Sequence, residues 1–443
     1  KWVLENILGG LVTEGRFSVD IRPGDLEQPA PRPGMFRLDW KFQDASADYF
    51  GQLPRIEGAN GSGFVDGLEY GLTVVKATAG GMQLSEGKLH IADLTLKSPV
   101  LDVEFVAHGA MADALALLDA KPLEFAKALT IRPADAGGTS ATRARFRIPL
   151  SDHVTLEQVG FSAAANIAEL SLPGIGDGYA LTNGVFTLSV VQDGLALSGR
   201  GAVNGVPLQL DWKREFRTDP GVSGDHLAIR GSAGRAQWQA LGLPAVKGLQ
   251  GAVAMAVSID LYDDGSRRGA GRFDLTGTAL NWPDIGWNKP AAVPAEMNLT
   301  FQNQVNGALI LDKFEFSGAG LQARGSAKFD ADAGLIALAS DNFVLGATHL
   351  MINAAARPGG GYRLDLQGPS LDLRSFVPRL LDGAKATDEP PLELNLKIDQ
   401  VYLTNEVVLN QLAGTGQRHD GEWQSADTHA GMDALSRMVT PSV

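Results

Sequence analysis

Along most of the chain apolar side chains recur two positions apart, the spacing that puts them on one face of an extended strand. Phe186, Leu188 and Val190 follow it, as do Leu208, Leu210 and Trp212, and Leu392, Leu394, Leu396 and Ile398. In the last run Glu393, Asn395 and Lys397 fill the opposite face. Between such runs stand Gln192-Asp193-Gly194, Asn204-Gly205, Asp263-Asp264-Gly265 and the stretch from Asp330 to Gly334, rich in residues that tolerate the positive φ of tight hairpins. Many short strands joined by hairpins predict a mainly antiparallel sheet. Gly199, Gly231, Gly277, Gly318 and Gly368 each follow an apolar, any, apolar, polar stretch. They are expected to act as bulges or bends that curve the sheet. Their spacing is too irregular for a fixed-period solenoid.

Helical spacing is rare. Met111, Leu115 and Leu118 share one helix face and Pro122 closes the segment, predicting a helix near 111–119. A second is expected near 370–381, where Phe376, Leu380 and Leu381 are apolar and Asp372 lies near the start. A short third is expected over 233–241. Such isolated helices among strands are expected to cap or cover the sheet.

Composition sharpens this picture. The 53 glycines in 443 residues are about 12%, against a usual 7% or so, and without collagen periodicity that excess suits turns and strands better than helices. The net charge of −13 argues against a nucleic-acid partner, which needs clustered basic residues. There is no cysteine, so disulfides, zinc-thiolate sites and thiol catalysis are excluded. No stretch is long and apolar enough for a transmembrane helix, and Glu5 and the glycines after it do not read as a signal peptide. The chain is expected to be a piece of a longer protein. Four segments are expected: 1–136 with the first helix, 137–216, 217–386 with the second helix, and 387–443 as the start of a further strand region.

Candidate chemistry is sparse. The seven histidines stand singly, none in a His-x-x-x-His arrangement, and no metal site is expected. Gly61-Ser62-Gly63 has the wrong spacing for a nucleophile elbow, and the glycines from Gly199 to Gly205 open a strand where a dinucleotide loop needs a helix. Asp263-Asp264 and Asp330 with Asp332 lack the remaining ligands of a calcium loop and read as hairpin turns. No catalytic residue, cofactor or metal is assigned. The alternation itself leaves two arrangements open. The apolar strand faces pack on each other in β-sandwiches, as in a structural or adhesin-type surface protein, or they line a curved sheet whose open face holds acyl chains.

Several short motifs bear on that choice. The stretch from Tyr49 to Gly58 with Leu53-Pro54-Arg55-Ile56-Glu57, the stretch from Gly109 to Leu123, the pair Gly137-Gly138 and the run Phe146-Arg147-Ile148-Pro149-Leu150 come in sequence. They are followed by Leu181-Thr182-Asn183-Gly184 and Asn204-Gly205-Val206-Pro207-Leu208. In order and spacing they resemble the AsmA-like family, in particular its YhdP-type branch. The resemblance implies a long, twisted β-groove of mostly antiparallel strands in the bacterial periplasm, carrying phospholipid between the inner and outer membranes without enzymatic activity. It also implies tethering to the inner membrane by an N-terminal helix, and a part in outer membrane biogenesis. On that reading the acyl chains of phospholipid are the partner. Phe186, Leu188, Leu195, Leu197, Leu208, Leu210, Phe273, Leu275, Phe314, Phe316, Leu392, Leu394 and Leu396 are then expected to line one apolar lipid-binding surface.

Overall fold

In the computed structural model, the described residues are 6–49, 53–120, 131–151, 154–155, 158–175, 178–219, 221–241, 246–375, 390–419 and 422–434. Strand takes 67% of the residues, and among the described residues α-helix is limited to two short segments. The chain divides into two units, 1–219 and 220–443.

The first unit is a meander of eleven strands: β1 (Ile7–Val19), β2 (Phe36–Ala47), β3 (Ile56–Asp66), β4 (Glu69–Ala79), β5 (Met82–Ile91), β6 (Val100–Ala110), β7 (Gly137–Pro149), β8 (Gly160–Ile175), β9 (Tyr179–Val191), β10 (Gly194–Val203) and β11 (Val206–Glu215). Each pairs antiparallel with the next. The expected first helix forms as α1 (Met111–Asp119), between β6 and β7.

The second unit contains β12 (Asp225–Gly234), β13 (Leu249–Gln250), β14 (Ala252–Leu261), β15 (Arg267–Asp274), β16 (Ala279–Trp282), β17 (Trp287–Lys289), β18 (Ala295–Asn303), β19 (Leu309–Gly318), β20 (Leu321–Phe329), β21 (Leu335–Leu345), β22 (Thr348–Ala356), β23 (Tyr362–Asp372), β24 (Leu392–Tyr402), β25 (Val407–His419) and β26 (Glu422–Ala434), with α2 (Arg235–Ala240) after β12. Twelve of these strands form the main ladder, β12-β14-β15 and then β18 to β26 in order. All its pairs are antiparallel except β23 with β24, which run parallel. Strands β13, β16 and β17 make a separate three-stranded sheet.

The expected hairpin residues sit at the turns between β9 and β10, β10 and β11, β14 and β15, and β20 and β21. Two local expectations are corrected. Ser370, Leu371 and Asp372, read as a helix start, close β23. There Leu371 pairs with Val401, Ser370 Oγ donates to the Ala347 carbonyl at 2.7 Å and the Asp372 N–H donates to Thr348 Oγ1 at 3.0 Å. These ladder bonds outweigh a weak helical pattern; residues 376–381 lie outside the described ones.

The second correction concerns the glycines. Gly368 stands at a register shift, between the pairs His349 with Ser370 and Met351 with Gln367, and Gly277 in a turn after β15, as expected; but the ladders run regularly through Gly199 and Gly231, and several bulges fall on polar residues with positive φ, namely Asp44, Glu86, Glu169, Asn183 and Gln411. Each such bulge shifts the phase of the alternation by one residue, so that Leu84 and Leu89, on either side of Glu86, reach the same face. Mid-strand glycines instead make room for rings. A Cβ on Gly199 would stand 2.7 Å from the Phe186 ring, and one on Gly63 would collide with Trp40.

With those phase shifts included, one face of the first unit is apolar from β1 to β11. One row reads Trp40, Gly63, Leu72, Leu89, Val103, Phe146 and Phe161 across β2 to β8. One polar side chain is trapped on it: Ser140, opposite Gly109 and Ile167, is 6% exposed and its Oγ has no hydrogen-bond partner. A buried hydroxyl without a partner costs about 1–3 kcal/mol. Ser140→Ala is therefore expected to raise stability by about 1 kcal/mol, read as a higher denaturant midpoint; a lower midpoint would contradict this account.

Candidate functional site

The cross-strand register places the residues expected to line an apolar surface. In the first unit Leu195 stands between Val190 and Arg214, Leu197 between Leu188 and Trp212, and Gly199 between Phe186 and Leu210, while Leu208 pairs with Gly201. Directly opposed residues in a ladder share a face, so all six expected residues of this unit lie on one side of the sheet. In the second unit Phe273 stands between Met255 and Met297, Phe316 between Met297 and Ala323, and Phe314 between Leu299 and Gly325. Leu392, Leu394 and Leu396 face Tyr362, Leu364 and Leu366 on β23, and Arg418, Gly416 and Gly414 on β25. Leu275 extends the face of β15, its N–H donating to the Ala295 carbonyl at 2.8 Å.

Burial divides this set. Phe186, Leu208, Leu275 and Phe316 are 2%, 5%, 9% and 7% exposed, whereas Leu188, Leu195, Leu197, Leu210, Phe273, Phe314, Leu392, Leu394 and Leu396 are half-buried. The difference follows from small elements that sit on one end of the apolar face. In the first unit Met111 and Leu115 of α1 pack with Ala165, Ile167, Leu170, Leu172, Leu181 and Phe186. In the second the three-stranded sheet supplies Leu249, Leu280 and Trp287, which pack with Val253, Leu275, Ala295, Phe316 and Leu321. The Phe316 ring lies 5.7 Å from that of Trp287 and 6.2 Å from that of Trp282, centroid to centroid.

At the end of each face away from its cover the apolar residues are less enclosed. Leu101, Ile148, Phe161, Val190 and Leu195 in the first unit, and Leu227, Ile259, Phe301 and Phe329 in the second, are all half-buried. On β1 and β2 exposure goes further, to 65% at Phe17 and 41% at Leu38; Ile91, at 7%, is enclosed. Among the described residues these faces are covered only at one end: the buried clusters on them are built from ladder neighbours and the small covering elements.

The opposite faces are polar. Arg143 reaches Glu86 at 3.0 Å and Glu104 at 2.9 Å, and Arg145 reaches Glu104 at 3.2 Å. Hydrogen bonds from the two guanidiniums hold the Glu104 carboxyl below the usual range. His90 and His226 also lie here, against Glu69 at 2.8 Å and Asp260 at 2.6 Å. These exposed pairs contribute little stability; their service is to keep this side wetted.

The alternation did not single out the covering sheet of the second unit. Its strands are two to four residues long, too short for periodicity, although two tryptophans flanking a Pro-to-Gly turn, Trp282 and Trp287, were a usable signal. Beneath it lies Lys289, 1% exposed, whose ammonium donates to the carbonyls of Thr278 at 2.6 Å, Val293 at 2.9 Å and Pro290 at 3.1 Å. Burial pushes its pKa down and the Asp274 charge pulls the other way. Trp287 Nε1 donates to the Ala319 carbonyl at 3.0 Å, tying the cover to the ladder. Lys289→Met is expected to cost about 3 kcal/mol, because three buried carbonyls lose their donor. An unchanged denaturant midpoint for this variant would show that the ammonium does not anchor the cover.

Among the described residues no group of three or more His, Asp or Glu side chains is arranged to hold a metal ion, and no helix is long and apolar enough to cross a membrane. Comparison with curated proteins and with solved structures returns no match. A family model described as YhdP protein matches residues 1–434, nearly the whole chain and both sheets. Long ladders with one apolar and one polar face agree with the architecture that the sequence motifs implied, and the chain belongs to the YhdP family.

Proposed function

We propose that this chain is a non-enzymatic lipid conduit of the bacterial envelope, carrying phospholipid between the inner and outer membranes with acyl chains held on the apolar sheet faces. The observation that carries the reading is the set of half-buried apolar residues beside the fully buried clusters, Leu188, Leu195 and Leu197 on the face of one unit and Phe314, Leu394 and Leu396 on that of the other. Each methylene moved from water onto such a surface gains about 0.8 kcal/mol. A chain of a dozen methylenes thus binds firmly without any directional contact, and a ligand held that way slides easily between equivalent positions. Membership of the YhdP family supports the same role. The working location is the periplasm, with a tether to the inner membrane.

The competing packed sandwich requires a second sheet over the whole apolar face; among the described residues the clusters on that face draw, besides ladder residues, only on α1 and the short strands around Trp282 and Trp287. The partitioning of burial also decides where to test. Phe186, Leu208, Leu275 and Phe316 belong to the packed ends, so charged substitutions there disturb folding first. Photo-reactive residues at Leu188, Leu197, Phe314 and Leu394 are expected to capture phospholipid in cells, and those at Thr187, Ser198 and Glu315 on the polar faces are expected not to. Leu197→Asp and Leu394→Asp are expected to reduce capture about tenfold or more at an unchanged circular dichroism spectrum, since each puts an unpaired charge in the path. Equal capture on both faces, or none on the apolar one, would sink the proposal.

A further inference from the structure

The ladders of both units keep charge off the apolar face. Among the described residues, its paired positions carry charged side chains at four places: Arg214, Asp225, Arg267 and Arg418. All four stand at the end of the ladder away from the cover. Arg214 lies one residue from the end of β11, Asp225 opens β12, Arg267 opens β15 and Arg418 lies one residue from the end of β25. Three of the four are arginines, one in the first unit and two in the second, and each is half-buried.

Their neighbours on the face are alike. Arg214 is opposite Leu195 and shares the face of β11 with Trp212. Arg267 is opposite Leu261 on one side and Asn303 on the other. Arg418 is opposite Leu392, and its guanidinium carbon is 5.9 Å from the centroid of the Trp423 ring, its partner on β26. An arginine at such a place lays its aliphatic stem along the apolar rows and holds its charge at the mouth. An indole at the same level is amphipathic in the way of rings at a lipid–water boundary. A strand end that needed only wetting is served by any polar residue. The guanidinium adds a planar fork of donors that matches two oxygens of a phosphate.

We propose that Arg214, Arg267 and Arg418 bind the phosphodiester of lipid headgroups whose acyl chains lie on the apolar rows beside them. This rests on the lipid-binding reading above and adds to it the residues that hold the headgroup, so that a two-chain lipid without phosphate is a poor substitute. The arginines form separate stations at the open ends of the ladders, so each holds a headgroup while the chains stay on the apolar rows of its own unit.

The test is a competition on the full chain between phosphatidylethanolamine and diacylglycerol carrying the same two acyl chains, read by native mass spectrometry. The wild type is expected to retain the phospholipid about tenfold better or more, the value of one charge-assisted bidentate contact. The triple variant Arg214→Gln, Arg267→Gln and Arg418→Gln is expected to bring that ratio close to one, and the corresponding lysine variant to fall between, since lysine keeps the charge without the fork. Glycerophosphate added in equal amount is expected to leave bound phospholipid in place. Displacement by it would mean that the arginines serve a soluble phosphate ester. A ratio near one for the wild type, or a ratio unchanged by the glutamine variant, would overturn the arginine stations while leaving the acyl-chain reading intact. Failure of the wild type to hold either lipid would overturn both. Circular dichroism of each variant separates loss of the station from loss of the fold.

Discussion

A sheet that is apolar on one face must hide that face from water, and among the described residues neither unit has more than a small cover over one end of it. Each square ångström of apolar surface left wet forgoes about 25 cal/mol, so a ladder of eleven or twelve strands carries a large standing demand for cover. The rest of each unit answers to it. Salt bridges, histidine-carboxylate pairs and threonines gather on the other side, helix is confined to a short segment beside the strands, and mid-strand glycines let aromatic rings lie flat against the sheet.

The covers satisfy only part of the demand. Helix α1 in one unit and the small sheet around Trp282 and Trp287 in the other close one end of the face with well-packed clusters. Toward the other end the side chains are half-buried or exposed. Fixed packing and available surface are thus separated along the strand axis, the arrangement that the proposed conduit requires. The buried Lys289 belongs to the fixed end, where three carbonyls take the place of solvent around its charge.

How much of this was legible in the sequence depended on regularity. The run from Leu392 to Ile398 declares its apolar face directly, because its pairs with β23 and β25 contain no bulge. Leu84 and Leu89 do not, since Glu86 lies between them at φ 53° and reverses the alternation, and glutamate gives no hint of that conformation. Register is also silent in a single chain: nothing in Gly199 announces that Phe186 lies across it. The division of the apolar residues into packed and open ones depends on α1 and on strands too short to have a period. The proposed role rests on the family motifs, since an apolar alternation is equally the mark of a core.

The order of the ladder has a consequence for how the chain is made. Apart from the small sheet it flanks, nearly every strand bonds only to the strands before and after it in sequence, usually across a tight turn. Closing such short loops is fast, and no distant segment has to arrive first. Structure can therefore grow strand by strand behind a chain that emerges end first, and damage at one place frays its neighbours without unravelling the whole, as in other one-dimensional arrays. The pairing of β23 with β24 is different. Parallel strands require the chain to run back along the full strand length before pairing resumes, which makes this the natural pause in an otherwise continuous assembly.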